Sequence, residues 1–365
     1  MSNIIANKKQ LPFLDFMRII SAVFVFLFHS NIHLEIKYGF LNPFINESAI
    51  FMTAFFMLSG LSLAYNYGDK DLMKLANYFT FIKKRIVSIY PAYIIVYVLF
   101  VIMLICTHTM QLSTTQNLVV LPVELTLLQS VFADSFSTLH NGGTWFISCI
   151  FICYLMFPFF CTIIKQLNKS QLLFLSLFCY CILMWGPIVQ HIMKYYSIYA
   201  NPFFRLLEFV LGICVIQLIN VYQSHQKNGA SICVVLAAIL LIVVTLLRHF
   251  LNIKAYCLYN FIVVPIFFLM FYYGLNIENK TFDKILKTKI CKYLSKISYV
   301  FFLAQFFTWD TYKFIKSETN FVFNSLIGFS LSFAICIIYT IIIYELMVKP
   351  LTKISKCYLL NTNNQ

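Results

Sequence analysis

A membrane span that carries an arginine and a histidine is the feature that most constrains this chain. Residues 11–31, LPFLDFMRIISAVFVFLFHSN, are apolar over a length that crosses a bilayer, yet Arg18 interrupts the start and His29 the end. At roughly 100° per residue, eleven steps return a helix to nearly the same azimuth about 16 Å further along its axis. Both side chains therefore face the same way. An ionised arginine in the bilayer costs about 2.5–3.5 kcal/mol on insertion scales, so that face must turn towards a polar interior or the interface. Asp15, three residues earlier, is placed to pair with Arg18. A snorkelling arginine with an interfacial histidine satisfies the same spacing, and at this point both readings stand.

The rest of the chain repeats the apolar theme. Hydrophobic residues make up 61% and charged residues 11%, and the mean hydropathy is +0.82, which excludes an ordinary soluble domain. Apolar runs predict ten helical spans, near 11–32, 48–67, 89–108, 143–164, 171–189, 203–222, 230–250, 256–275, 296–314 and 322–347. The fold class is thus an all-α polytopic membrane protein, one domain over 1–350 with a short polar cytoplasmic tail at 351–365 and no appended soluble domain.

The net charge of +14 does not call for nucleic acid, because the basic residues sit in short segments between apolar runs, where they encode orientation. With both termini cytoplasmic, the inner segments collect Lys8, Lys9, Lys70, Lys74, Lys83, Lys84, Arg85, Lys165, Lys169, Lys227, the lysines of 280–296, Lys349, Lys353 and Lys356. The outer ones hold Lys37, Lys194, Arg248, Lys254, Lys313 and Lys316. No small-residue cleavage site follows the first run, so it stays as a span. The longest outer segment, 109–142, has no lysine or arginine, and its 118–130 part is apolar enough to form a short helix over an outward-facing cleft. Twelve cysteines are scattered without a CxxC pair, as buried hydrophobes are. The pair His29 and His33 lacks a carboxylate or cysteine at ligand spacing, and no metal site is expected.

Several polar residues stand where lipid would not favour them. Ser59 and Gly60 in FFMLSG fit close helix packing. Lys83, Lys84 and Arg85 enter the third span ahead of Pro91, as interfacial anchors or as ligands for a phosphate. Arg205 and Glu208 lie three apart at the start of the sixth span, as a structural ion pair or a functional one. Gln305 is an amide among aromatics that needs an interhelical partner. The basic loop NIENKTFDKILKTKICKYLSK reads first as a lipid-headgroup contact and second as a site for a polyanionic ligand.

In this order, the pieces resemble the acyltransferase-3 family of bacterial integral-membrane acyltransferases. LDFMRIISAVFVFLFHS resembles its arginine, ten residues, histidine motif; FFMLSG its FF-x-x-SG; and RIVSIYPAY its basic entry to the third span. TWFISCIFICYLMFP resembles the tryptophan-to-proline element through Trp145, Tyr154 and Pro158, RLLEFVLG the R-x-x-EF-x-x-G, and ISYVFFLAQ the late SY-x-x-YL-x-H. Four positions depart: Ser88 stands for a second arginine, Ile150 and Phe151 for acidic residues, and Gln305 for the late histidine.

The resemblance implies transfer of an acyl group, usually acetyl from acetyl-CoA, to a hydroxyl of a surface glycan or its lipid-linked precursor, in a bacterial cell membrane. Acetyl-CoA is then a co-substrate and no bound cofactor is expected. His29 is the expected general base, with a pKa range suited to a sugar hydroxyl. Arg18 is expected at the donor end, with Arg85, Lys84 and Ser59 as further donor-binding residues. Asp15, Arg205, Glu208, Tyr299 and Gln305 are expected in supporting roles or on the acceptor side. A transporter of polysaccharide or lipid-linked sugar without chemistry of its own is the competing reading, and a member without turnover a third.

Overall fold

The computed structural model describes residues 11–107, 113–132, 140–192, 198–222, 229–251, 256–277, 284–319 and 324–360. Of these, 88% are helical and none lies in a strand, which is the all-α architecture expected. Lys8, Lys9, Lys194, Lys227, Lys254 and Lys280, which enter the charge argument, lie outside the described residues. So do 109–112 and 133–139 of the long outer segment and 361–365 of the tail.

Ten long helices fall on the ten expected spans: α1 (Pro12–Leu34), α2 (Phe51–Tyr67), α3 (Leu75–Cys106), α5 (Trp145–Gln166), α6 (Lys169–Ile192), α7 (Pro202–Tyr222), α8 (Ala230–Phe250), α9 (Tyr256–Gly274), α10 (Lys289–Thr319) and α11 (Ser325–Ile342). A short helix, α4 (Thr114–Leu125), lies between α3 and α5, and α12 (Lys349–Leu360) follows α11 after a π-helical turn, Ile343–Val348. Eight of the helical segments are apolar and long enough to cross a membrane. Of the other two, α9 holds an apolar stretch at Ile262–Gly274, and α10 carries lysines towards both ends.

The helix starts follow local chemistry. Pro12 opens α1, where its missing N–H costs nothing. Ser113 and Gln116 close a reciprocal capping box on α4, and Asn168 and Gln171 do the same on α6. One boundary differs from expectation. The third span was expected to begin near residue 89, with Pro91 in its first turn, but α3 begins at Leu75 and Pro91 is interior. Hydropathy marks only the apolar part of a helix, and α3 extends through the basic stretch Lys83–Arg85 before it. Residues 349–360 are likewise helical, and α12 packs on α3.

The closest helix pair is α2 with α7, and two glycines make it possible. A Cβ on Gly60 would stand 2.0 Å from the carbonyl oxygen of Phe209, and one on Gly212 would stand 1.9 Å from that of Met57. Each glycine thus admits the other helix's backbone, the packing device of membrane helices. Beside this pair, α1 is held against α10 and α11 by Phe26, which is fully buried among Phe301, Trp309, Phe329 and Phe333. On α8, Arg248 forms an ion pair with Glu47, tying that helix to the segment before α2.

Any side chain at the two glycines forces α2 and α7 apart. Gly60→Val and Gly212→Val are expected to destabilise by at least the 1–3 kcal/mol typical of overpacking. Because they break one shared contact, the double variant should lose less than the sum. Thermal unfolding in detergent reads both effects, and fully additive losses would show that the two glycines act separately.

Candidate functional site

The N-terminal halves of α1, α3, α5 and α10 and the middle of α2 line a cavity of about 490 Å³. Its lining includes Asp15 and Arg18 of α1, Ser59 and Ser62 of α2, Arg85 and Ser88 of α3, Tyr154 of α5, and Lys292, Ser295, Lys296 and Tyr299 of α10. Asp15 and Arg18 share a helix face, and Arg18 Nη1 donates to Asp15 Oδ1 at 3.0 Å. Arg18 Nη2 donates to Ser62 Oγ at 2.8 Å, and Ser295 Oγ donates to Asp15 Oδ1 at 2.6 Å. The ion pair therefore bridges α1 to both α2 and α10 while leaving the Arg18 side chain 32% exposed.

Arg85 donates from Nη2 to the Tyr67 hydroxyl at 3.0 Å and lies over the rings of Tyr67 and Phe81. Tyr299 donates to the backbone carbonyl of Ile89 at 3.2 Å. Lys84 is not on this cavity. It lines a neighbouring cleft of about 320 Å³ with Tyr67, Lys70, Asn77 and Thr80. Arg18, Arg85 and Ser59, expected together, all line the cavity, with Asp15 paired to Arg18 as its spacing predicts and with Tyr299 on the same lining.

His29 lies eleven residues after Arg18, about 16 Å further along α1, and is half-buried. Its Nδ1 donates to Oε1 of Gln305, on α10, at 2.8 Å. With the amide oxygen of Gln305 turned to Nδ1, the ring proton belongs on Nδ1 and Nε2 keeps its lone pair. Gln305 is completely buried, and its Nε2 has no hydrogen-bond partner among the described residues. One turn on, the exposed His33 stacks on the Trp309 ring with centroids 6.0 Å apart. The histidine thus sits in an aromatic wall shared by α1 and α10, held in one tautomer by a residue on the partner helix.

Arg205 and Glu208 form a third polar cluster, away from the cavity lining. Arg205 Nη1 donates to both carboxylate oxygens of Glu208, at 3.0 and 2.8 Å, and its Nε donates to the carbonyl of Tyr199 at 2.8 Å. The rings of Phe56, Trp145 and Tyr199 pack around the guanidinium, and Thr53 Oγ1 donates to Glu208 Oε1 at 2.9 Å. This arrangement is a sealed ion pair that joins α7 to α2 next to the Gly60–Gly212 contact.

A fourth cluster has no counterpart in the sequence reading. Glu124 of α4 accepts from the backbone N–H of His140 at 3.1 Å, from His140 Nδ1 at 2.6 Å and from the Tyr97 hydroxyl at 2.9 Å. All of these groups are buried. They bind the segment between α3 and α5 to α3, where Tyr93 also donates to the Glu124 carbonyl at 2.9 Å. Glu124 is the one charged residue of the helix Thr114–Leu125, and that isolation is the signal by which sequence inspection finds it.

Removing one partner of a buried ion pair strands the other. Glu208→Gln is expected to cost about 3–5 kcal/mol, and replacing both partners, Arg205→Met with Glu208→Leu, considerably less. The midpoint of thermal unfolding in detergent tests this order, and a Glu208→Gln protein as stable as the wild type would reject the pair as a structural staple.

The sequence profile of the "Acyltransferase domain" family matches residues 11–344. A curated relative, the acyltransferase MdmB of Streptomyces mycarofaciens, is 23% identical over 205 residues, 52% of this chain and 51% of the relative. The chain thus aligns with about half the length of that relative. No solved structure matches the chain. A profile match that runs from the start of α1 to the turn after α11, and so takes in the cavity and His29 alike, shows that the chain belongs to the acyltransferase-3 family.

Proposed function

We propose that the chain is a membrane-embedded O-acyltransferase that moves acetyl from cytoplasmic acetyl-CoA to a hydroxyl of a cell-surface polysaccharide, lipopolysaccharide or lipid-linked glycan precursor. The family membership and the curated acyltransferase relative support the reaction class. The observation that carries the reading is His29, its Nδ1 proton engaged by Gln305 and its Nε2 free to accept, on the same helix as the Arg18 cavity. In this reading both termini are cytoplasmic, the protein is multi-pass in a bacterial cell membrane, the donor enters at the Arg18 end and the acceptor reaches the His29 end.

The chemistry is balanced without any further group. A glycan hydroxyl attacks the thioester carbonyl while His29 Nε2 takes its proton. The tetrahedral intermediate collapses, the C–S bond breaks, and the leaving thiolate receives that proton from the imidazolium. The products are the glycan ester and free CoA. Gln305 acts as a positioning residue, accepting from Nδ1 in the resting state and stabilising the imidazolium in the same geometry. Arg18 and Arg85, held by Ser62 and Tyr67, offer guanidinium groups to the donor's phosphates.

Mass spectrometry of surface glycans, before and after mild alkaline de-esterification, tests the reading in a strain lacking the gene and complemented by each variant. Wild type is expected to restore an alkali-labile acetyl mass. His29→Ala, at equal expression, lowers the ester by about 10²–10⁴-fold in rate, and Gln305→Leu lowers it by less. Glycan amount that changes while the ester pattern does not would replace acyl transfer by transport.

A further inference from the structure

The basic loop before α10 reads first, from sequence, as a lipid contact. The structure divides it. Lys284, Lys287 and Lys289 are absent from the cavity lining, whereas Lys292 and Lys296, one helical turn apart, line it together with Arg18 and Arg85. We propose that Lys292 and Lys296 form the second half of a phosphate clamp, with Arg18 and Arg85 as the first half, for the polyphosphate portion of a nucleotide-bearing thioester. This rests on the acyl-CoA reading and names the part of the donor that the cavity recognises.

The charge balance carries the argument. Four cations line the cavity, and its single carboxylate, Asp15, is already engaged by Arg18 and Ser295. Among the described residues, the lining thus carries an excess of three positive charges around one cavity, which favours a ligand with several negative charges in a short length. Arg85 adds an independent sign, because its Nε is buried and has no hydrogen-bond partner among the described residues. The two lysines are exposed. Lys296 lies 5.4 Å from the ring centroid of Tyr344, which steadies it over the cavity rim, while Glu345 beside it is taken by Tyr293 and Lys349. A lysine is a mobile point charge suited to phosphate, and the two guanidiniums supply the directional contacts. An anionic lipid headgroup presents the same phosphate chemistry, so the test must separate the two sources.

The experiment measures equilibrium binding of coenzyme A and of pantetheine, which lacks the nucleotide and its phosphates, to the full chain in phosphatidylcholine vesicles. For wild type, coenzyme A is expected to bind more tightly than pantetheine, with an advantage that shrinks as salt rises. Lys292→Ala with Lys296→Ala should weaken coenzyme A binding about tenfold, equivalent to about 1.4 kcal/mol, flatten its salt dependence and leave pantetheine unchanged. Lys292→Arg with Lys296→Arg should retain most of the affinity, which controls for folding. If wild type binds coenzyme A and the alanine variant binds it equally well, the clamp is overturned while the acyl-CoA reading stands. Loss of phosphatidylglycerol retention in mixed vesicles, with coenzyme A binding intact, assigns the lysines to lipid and equally overturns it. If wild type shows no preference for coenzyme A over pantetheine, the donor reading itself fails and the clamp with it.

Discussion

A guanidinium inside hydrocarbon needs polar partners, and two arginines of this chain's helices, Arg18 and Arg205, meet theirs in opposite ways. Asp15 and Arg18 are three residues apart, as are Arg205 and Glu208, and both pairs close at hydrogen-bond distance. The Arg205 side chain is 2% exposed and is enclosed by a carbonyl and three aromatic rings. The Arg18 side chain keeps 32% of its surface open to the cavity. The first pair spends its charge on holding helices together. The second retains charge that a ligand can use, because the groups around it are hydroxyls and other cations rather than aromatic walls.

The sealed pair and the glycine contact make a rigid centre from α2 and α7. Thr53 reaches Glu208 a short way along α2 from the point where Gly60 and Gly212 let the backbones touch. That centre presents Ser59 and Ser62 on the neighbouring face of α2. Packing there and polarity in the cavity are thus two faces of one helix. The FFMLSG motif serves both, with the glycine turned to α7 and the serine to the cavity.

Much of this was legible in sequence, and the failures have physical causes. The ten long helices were found because bilayer thickness imposes a minimum apolar length. The start of α3 was missed because the basic stretch Lys83–Arg85 separates its first two turns from the apolar run. Arg18, Arg85 and Ser59 are grouped through their motifs, and spacing pairs Asp15 with Arg18, but spacing along one helix does not say which neighbour it faces, so the place of Tyr299 on the same cavity is not readable from it. Lys292 and Lys296 were indistinguishable from the other lysines of their loop until α10 fixed which turn meets the cavity. Glu124 and His140 are sixteen residues apart along the chain, with nothing in local periodicity to join them.

The pairing of α1 with α10 explains why the cavity and the histidine belong to one device. Ser295 donates to Asp15 near the start of both helices, and Gln305, ten residues later and about 15 Å further along α10, accepts from His29. Between these two bonds the Phe26 cluster fills the interface. A slide of one helix past the other would break both hydrogen bonds together, so the position of Arg18 is tied to the orientation of His29. In this arrangement Gln305 does what a histidine at its position would not do in the same way. An amide oxygen has no protonation change near neutral pH, so the Nδ1 proton of His29 keeps its partner whether the ring is neutral or charged. The tautomer that exposes Nε2 is then set by helix packing rather than by the titration of a second imidazole.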